Sequence, residues 1–159
     1  MIDVLVDDGV DETLLPSTDS IRQAVLAAFA AAGLPAIDPE LCVRFASDSD
    51  VRQLNGEWRN QDKVTDVLSF PMQEGPDFDL SDSFGDIALA MPFVLQEAAR
   101  LDLPARDHCL HLIIHACLHL LGFDHIHDDE AARMQHHEQR AMLSLGLHNP
   151  YPETTEDNL

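Results

Sequence analysis

The hydrophobic and polar positions of this chain predict four short strands. The first two segments alternate apolar and polar residues, which would place every second side chain on one face of a sheet. The other two are apolar runs bounded by proline or by polar, turn-rich sequence. The predicted strands are residues 2–8, 41–47, 66–70 and 85–91.

Five further segments predict helices, mainly from their start and stop signals. Ser17 or Thr18 can cap the first, which has an Ala- and Leu-rich body and stops at Gly33. Pro92 and Pro104 stand near the first turns of the third and fourth helices. The predicted helices are residues 18–32, 48–59, 92–103, 104–121 and 128–145.

The order of these elements predicts an α+β fold, in which a small mixed four-stranded sheet packs against about five helices. Residues 1–150 are expected to form a single domain, and residues 151–159 a flexible tail. We find neither a signal peptide nor an apolar span of membrane length, and the three cysteines form no C-x-x-C pair. These features predict a reduced, cytoplasmic protein.

Charge narrows the possible functions. Nine basic and 29 acidic residues give a net charge of −20, which disfavours a protein that grips nucleic acid by general electrostatic attraction. Four of the nine cations lie in residues 44–63, where four acidic residues balance them. This neutral window is where we expect a surface that faces phosphate groups.

The fourth predicted helix carries a row of histidines on an otherwise apolar surface. His108, His111, His115 and His119 fall within an arc of roughly 80° around the helix axis. Burying four imidazoles without partners would be costly, so they need hydrogen bonds, solvent or a metal ion. His111 and His119 are roughly 12 Å apart along the axis and cannot share one ion.

The ligand pair is therefore either His111 with His115, or His115 with His119. Gly122 favours the second pair, because a helix that stops there lets the chain reverse and bring His125 to the same ion. Three neutral nitrogens and one open position are typical of a catalytic zinc site. We predict His115, His119 and His125 as the ligands of one Zn²⁺ ion.

The residue after His115 is Ala116, where zinc peptidases of the H-E-x-x-H type carry their glutamate base. A metal on three histidines can activate water without such a base. Phosphodiester cleavage needs chiefly neutralisation of charge on the phosphoryl oxygens, which a guanidinium can share. Arg59 and Lys63, in the neutral window, could be such phosphate contacts or could form weak surface pairs with Glu57 and Asp62, and His111 could be a substrate contact or a buried histidine with a polar partner.

Two motifs carry a resemblance to a known family. HACLHLLGFDH at residues 115–125 and WRNQDKVTDVLSFP at residues 58–71, with Gly85, Asp86 and Ile87 between them, resemble the YbeY family of bacterial endoribonucleases. Ala116, Phe123, Trp58 and Val64 depart from the family pattern, but none of them removes a predicted ligand or a charge.

The resemblance implies a fold, an activity and partners. It implies a mixed four-stranded sheet, a three-histidine metal site, and single-strand-specific cleavage of RNA in which Arg59 takes part. It also implies a role in ribosomal RNA processing, including maturation of the 16S rRNA 3′ end, and in ribosome quality control. The expected partners are RNA and the small ribosomal subunit with its proteins, and neither DNA nor a membrane.

Two alternatives stay open from the residues alone. The first is a zinc metallohydrolase of another substrate class, such as a peptidase that takes its base from elsewhere in the chain. The second is a noncatalytic ribosome assembly factor whose zinc is structural, which the net charge of −20 favours because free RNA is repelled.

Overall fold

The protein is described by a computed structural model that covers residues 1–124 and 127–152. In this part of the chain we find four strands and five helices. The strands are β1 (Ile2–Val6), β2 (Glu40–Ala46), β3 (Val67–Pro71) and β4 (Ser83–Ala90). The helices are α1 (Thr18–Ala31), α2 (Asp48–Arg59), α3 (Met91–Arg100), α4 (Ala105–Leu120) and α5 (Asp128–Ser144).

The four strands form one mixed sheet in the order β1-β2-β4-β3. β1, β2 and β4 run parallel, and β3 pairs antiparallel with β4 at the edge. The parallel pairs are joined through helices, as parallel strands require, whereas β3 and β4 are joined by a loop. The predicted α+β fold with a mixed sheet is confirmed.

Most element bounds agree with the predicted ones to within a few residues, and the exceptions have local causes. α3 ends at Arg100 rather than residue 103, because Asp102 adopts a left-handed conformation and Leu103 donates back to the carbonyl of Ala98. Sequence reasoning looks for glycine at such a position. A short 3-10 turn at Glu12–Leu14 was also not predicted.

Helix α4 is the centre of the hydrophobic core. Cys109, Ile113, Cys117 and Leu118 are fully buried, and the helix packs against α1, α3, α5 and the sheet. Complete burial on several sides explains why its sequence is almost entirely apolar apart from histidines. Because α4 contacts both β3 and α5, its histidine face lies next to these two elements.

No helix within residues 1–124 and 127–152 is long and apolar enough to cross a membrane.

Gly85 in β4 leads to a prediction about stability. Its φ is +137°, and a Cβ added there would lie 2.2 Å from the carbonyl oxygen of Phe70 on the neighbouring strand. We expect Gly85→Ala to lower the free energy of unfolding by about 3 kcal/mol. The neighbouring backbone must shift to admit the Cβ, and an alanine must adopt a φ that side chains disfavour. Urea denaturation followed by circular dichroism measures this change.

Gly33→Ala is the matched control, since its φ is +87° and nothing lies within 4 Å of an added Cβ. Gly33→Ala should lower the free energy of unfolding by about 1 kcal/mol, which is the cost of the left-handed conformation for alanine. Equal losses in the two variants would contradict the steric account of Gly85.

Candidate active site

His115 and His119 lie one turn apart on α4 and point the same ring nitrogen at each other. Their Nε2 atoms are 3.0 Å apart. On the opposite side of each ring, His115 Nδ1 lies 3.1 Å from the Glu138 carboxylate and His119 Nδ1 lies 3.0 Å from the carbonyl oxygen of Phe123. Both oxygens are acceptors, so each Nδ1 carries the proton and donates.

This arrangement fits a metal ion. With both Nδ1 atoms protonated, the two Nε2 atoms meet as acceptors, which repel unless a cation or a proton lies between them. Two imidazoles on one tetrahedral zinc ion, each bound at about 2.0–2.1 Å, would place their nitrogens about 3.3 Å apart. The Nε2 separation of His115 and His119 is close to that value.

The third predicted ligand, His125, lies outside the described residues. Among the described residues, no group of three His, Cys, Asp or Glu side chains is arranged to hold a metal ion. His115 and His119 therefore supply two of the three predicted ligands, and His125 as the third stays a prediction.

Glu138 of α5 is the residue that supports this pair, and sequence reasoning missed it. Its side chain is 1% exposed. Its carboxylate accepts hydrogen bonds from His111 Nε2 at 2.8 Å, from His115 Nδ1 at 3.1 Å and from the Tyr151 hydroxyl at 2.9 Å. Burial raises the pKa of this carboxyl group, but the hydrogen bonds from His111 and His115 outweigh it and hold the pKa at about 2. Glu138 is therefore an ionised acceptor at neutral pH.

The other histidines of the row face carboxylates too. His111, a candidate substrate contact, lies 13% exposed between Glu138 and the ring of Tyr151, 5.8 Å away. His108 is buried with its Nε2 atom 2.6 Å from a carboxylate oxygen of Glu97. Neither residue lines the cavity that His115 and His119 face. This is the usual arrangement for buried imidazoles, which keep a charged or polar partner.

A cavity of about 750 Å³ opens in front of the histidine pair, and we call it the histidine cavity. His115 and His119 form one wall, and Asp124 lies beside them. Arg59 from the end of α2 and Lys63 from the loop before β3 line the same cavity. The predicted metal ligands and the predicted phosphate contacts therefore meet in one space, although their motifs are more than 50 residues apart in sequence.

Arg59 is held in place by the sheet. One of its guanidinium nitrogens donates to the carbonyl oxygen of Ser69 at 2.7 Å, and the guanidinium carbon lies 6.0 Å from the centre of the Phe70 ring. Lys63 is positioned through Asn55, a buried side chain that donates to the Lys63 carbonyl at 3.0 Å. Asn55 is a second residue that sequence reasoning did not identify.

The cations of residues 44–63 divide into two kinds. Arg44 forms ion pairs with Asp7 and Asp50, and Arg52 with Asp62. Arg59 and Lys63 make no ion pair with any residue of the described ranges. The neutral window therefore leaves two cations available to a bound anion, and both line the histidine cavity.

Glu138 generates a prediction about stability. Glu138→Ala leaves three donors, on His111, His115 and Tyr151, without their buried acceptor, so we expect a loss of about 3 kcal/mol in the free energy of unfolding. Glu138→Gln keeps the shape and one acceptor oxygen and should lose less. Urea denaturation compares both with Arg140→Ala, an exposed substitution on the same helix, which should change stability by less than about 0.5 kcal/mol. A Glu138→Ala protein as stable as Arg140→Ala would contradict the supporting role.

Comparisons with known proteins agree with the residues described above. A family model described as endoribonuclease YbeY matches residues 10–146. Curated proteins named endoribonuclease YbeY from Sinorhizobium fredii, Rhizobium meliloti and Azorhizobium caulinodans are 45%, 46% and 38% identical to this chain over 120, 125 and 151 residues. The alignments cover 71%, 74% and 94% of this chain and 66%, 71% and 95% of those proteins.

The fold is shared with a solved structure. The solution structure of a Thermotoga maritima protein superimposes with a TM-score of 0.56 at 23% identity, over 98% of each chain. The fold likeness, together with the family match over residues 10–146 and the identities to curated relatives, confirms the resemblance seen in the two motifs. This chain belongs to the YbeY family.

Proposed function

We propose that this protein is a metal-dependent endoribonuclease that cleaves single-stranded RNA. The observation that carries the proposal is the histidine cavity, where two imidazoles converge on one point and an arginine without an ion pair among the described residues lines the same space. The names of the relatives support the same activity, since each of them is called an endoribonuclease.

His115 and His119, together with His125, would hold one Zn²⁺ ion per chain. An imidazole-rich site suits zinc among the common divalent metals. When bound, the ion would supply Lewis-acid chemistry, withdrawing charge from a phosphoryl oxygen and lowering the pKa of water. Glu138 and the Phe123 carbonyl keep the proton on Nδ1 of each ring, so that both Nε2 atoms stay available as ligands.

Arg59 would bind and stabilise the phosphodiester. Its bond to Ser69 uses one guanidinium nitrogen and leaves other N–H groups for the oxygens of a phosphate. Charge builds up on those oxygens during cleavage, and a guanidinium held in position by the sheet needs little reorganisation to neutralise it. Lys63, which lines the same space, would add a second positive charge.

Ala116 argues against a peptidase. It lines the histidine cavity at the position where H-E-x-x-H enzymes place their glutamate, and its methyl group can neither accept nor donate a proton. Two carboxylates line this cavity, Asp66 just before β3 and Asp124 after α4, and neither stands at the position after the first histidine. The site is therefore better suited to a substrate whose cleavage depends on neutralising negative charge.

For the cellular substrate, we propose ribosomal RNA, with maturation of the 16S rRNA 3′ end and ribosome quality control as the processes served. A net charge of −20 repels free RNA over a Debye length of about 8 Å at physiological salt, which favours delivery by protein partners on the small ribosomal subunit. We place the protein in the cytoplasm, with residues 1–150 as one catalytic domain.

Arg59→Ala tests the mechanism. We expect cleavage of a single-stranded RNA to fall by a factor of about 10² to 10³, because one positioned charge on the phosphate is lost. The bound metal and the circular dichroism spectrum should stay unchanged. Arg52→Ala removes a cation from the same helix that is paired with Asp62 and does not line the cavity, so its rate should match that of the wild type. Full activity in Arg59→Ala would remove this residue from the mechanism.

Replacing the histidines tests the metal site. His115→Ala, His119→Ala and His125→Ala should each lower the zinc content of the purified protein, measured by atomic emission, and abolish cleavage that a chelator also abolishes in the wild type. His136→Ala, an exposed histidine on α5, should retain both. Full zinc occupancy in all three ligand variants would refute the assignment.

Casein and RNA assayed side by side distinguish a peptidase from a nuclease, and activity on neither would indicate an assembly factor with structural zinc.

A further inference from the structure

Trp58 is the most exposed large apolar side chain of the described residues, with 70% of it open to solvent. It lies at the end of α2, next to Arg59 in sequence. An exposed indole close to a site for an anionic substrate is unusual, because large aromatic rings are normally kept from water or used for binding. The surroundings of Trp58 therefore bear on how substrate approaches Arg59.

Trp58 borders a groove of about 760 Å³ on the face of the sheet that α4 does not cover, and we call it the sheet-face groove. Its floor comes from three neighbouring strands, where Cys42, Asp86 and Phe70 are paired side by side across β2, β4 and β3. Its rim carries two further exposed apolar side chains, Leu5 and Met72. The groove is thus largely apolar, with a carboxylate on its floor.

The aromatic wall of the groove is held firmly. The rings of Trp58 and Phe70 meet edge to face with their centres 6.5 Å apart. Arg59 lies beside the same Phe70 ring and is bonded to Ser69, so the end of α2 is fixed to β3. A rigid aromatic surface of this kind loses little conformational entropy when a flat ligand stacks on it.

The sheet-face groove and the histidine cavity are neighbours. Arg59, Ser69 and Pro71 line both of them, so the two spaces adjoin at the end of α2 and along β3. A strand of RNA with one phosphate at Arg59 would therefore bring an adjoining nucleotide to the groove. This continuity connects the groove with the substrate rather than with a separate ligand.

Apart from Arg59, which the groove shares with the histidine cavity, the polar groups of the groove do not suit a phosphate. Asp86 is exposed there, and Arg44 is already paired with Asp7 and Asp50. A nucleobase is uncharged, offers a flat ring for stacking, and carries amino and imino groups that can donate to a carboxylate such as Asp86. The groove therefore fits a base where it would repel a phosphate.

We propose that the sheet-face groove is a subsite for an unpaired nucleobase of the RNA substrate, which stacks on Trp58. This proposal rests on the proposed function. It also gives that function a physical basis for single-strand specificity, since a base inside a duplex is already stacked and cannot enter the groove. Stacking would add affinity that does not depend on charge, which matters in a protein of net charge −20.

Fluorescence of the wild-type protein tests the proposal directly, because Trp58 is the one tryptophan in the sequence. A single-stranded oligouridylate, under conditions in which a gel shows it to stay intact, should change the emission of Trp58. An oligomer of the same length with abasic riboses has the same phosphate charge and should bind more weakly without that change. The ratio of the affinities for the oligouridylate and the abasic oligomer should stay constant as the salt concentration is raised, since phosphate contacts weaken equally in the two complexes.

Variants test the consequence for cleavage. Trp58→Ala should raise the KM for single-stranded RNA about tenfold, as expected for the loss of one base–aromatic stack, with the larger part of the loss in KM rather than kcat. Trp58→Phe retains a ring and should lie closer to the wild type. Leu143→Ala removes an exposed apolar side chain that lines neither space and should leave KM unchanged.

The possible results distinguish a failure of the proposed subsite from a failure of the proposed function. RNA that is cleaved without a change in Trp58 emission, with KM unaltered in Trp58→Ala, would overturn the subsite and leave the nuclease standing. Emission that responds to ribosomal proteins and not to RNA would also overturn it, in favour of protein docking. A wild-type protein that neither binds nor cleaves RNA would overturn the proposed function and the subsite with it.

Discussion

The buried carboxylate of Glu138 is the interaction on which the rest of the candidate site depends. It accepts hydrogen bonds from two histidines of α4 and from a tyrosine beyond α5, and in doing so it ties three parts of the chain together. An isolated charge at this depth would be strongly unfavourable, so the donors and the carboxylate require one another. The orientation of His115 follows from this requirement, and with it the direction in which its second ring nitrogen points.

Charge is distributed so that few cations remain for substrate. The chain is strongly acidic, and Arg44 and Arg52 are used in ion pairs with nearby carboxylates. Arg59 and Lys63 reach the histidine cavity instead, one held by the backbone of β3 and the other by Asn55. Attraction at this site is thus local and short in range, which is consistent with an enzyme that engages RNA at a few positions and does not coat it.

The sequence predicted those parts of the fold that depend on local pattern. The four strands and five helices follow from alternation, capping residues and turn residues, and the mixed sheet follows from their order. His115 and His119 could be identified because residues four apart on a helix share a face, and the glycine after them marks where the helix ends. Arg59 was selected as a candidate because it matches one of the family motifs. The family match confirms that these motifs are those of the YbeY family.

The contacts that could not be predicted are those between distant parts of the chain. Glu138 lies 23 residues after His115 in a helix full of acidic and polar residues, and nothing in its spacing distinguishes it from its neighbours. Asn55 is likewise a polar residue in a polar helix until the loop that it supports is seen. Ion pairing also decided which of the four cations between residues 44 and 63 stay available, and pairing is a property of the folded chain alone.

The position of Tyr151 has a consequence for how the family is compared. The family match ends at residue 146, whereas one of the three donors to Glu138 comes from residue 151. An alignment that ends at residue 146 therefore omits Tyr151, whose hydroxyl donates to the buried carboxylate of Glu138. A homologue with no hydroxyl at this place would leave the Glu138 carboxylate with one donor fewer, unless another group of the segment after α5 supplies it.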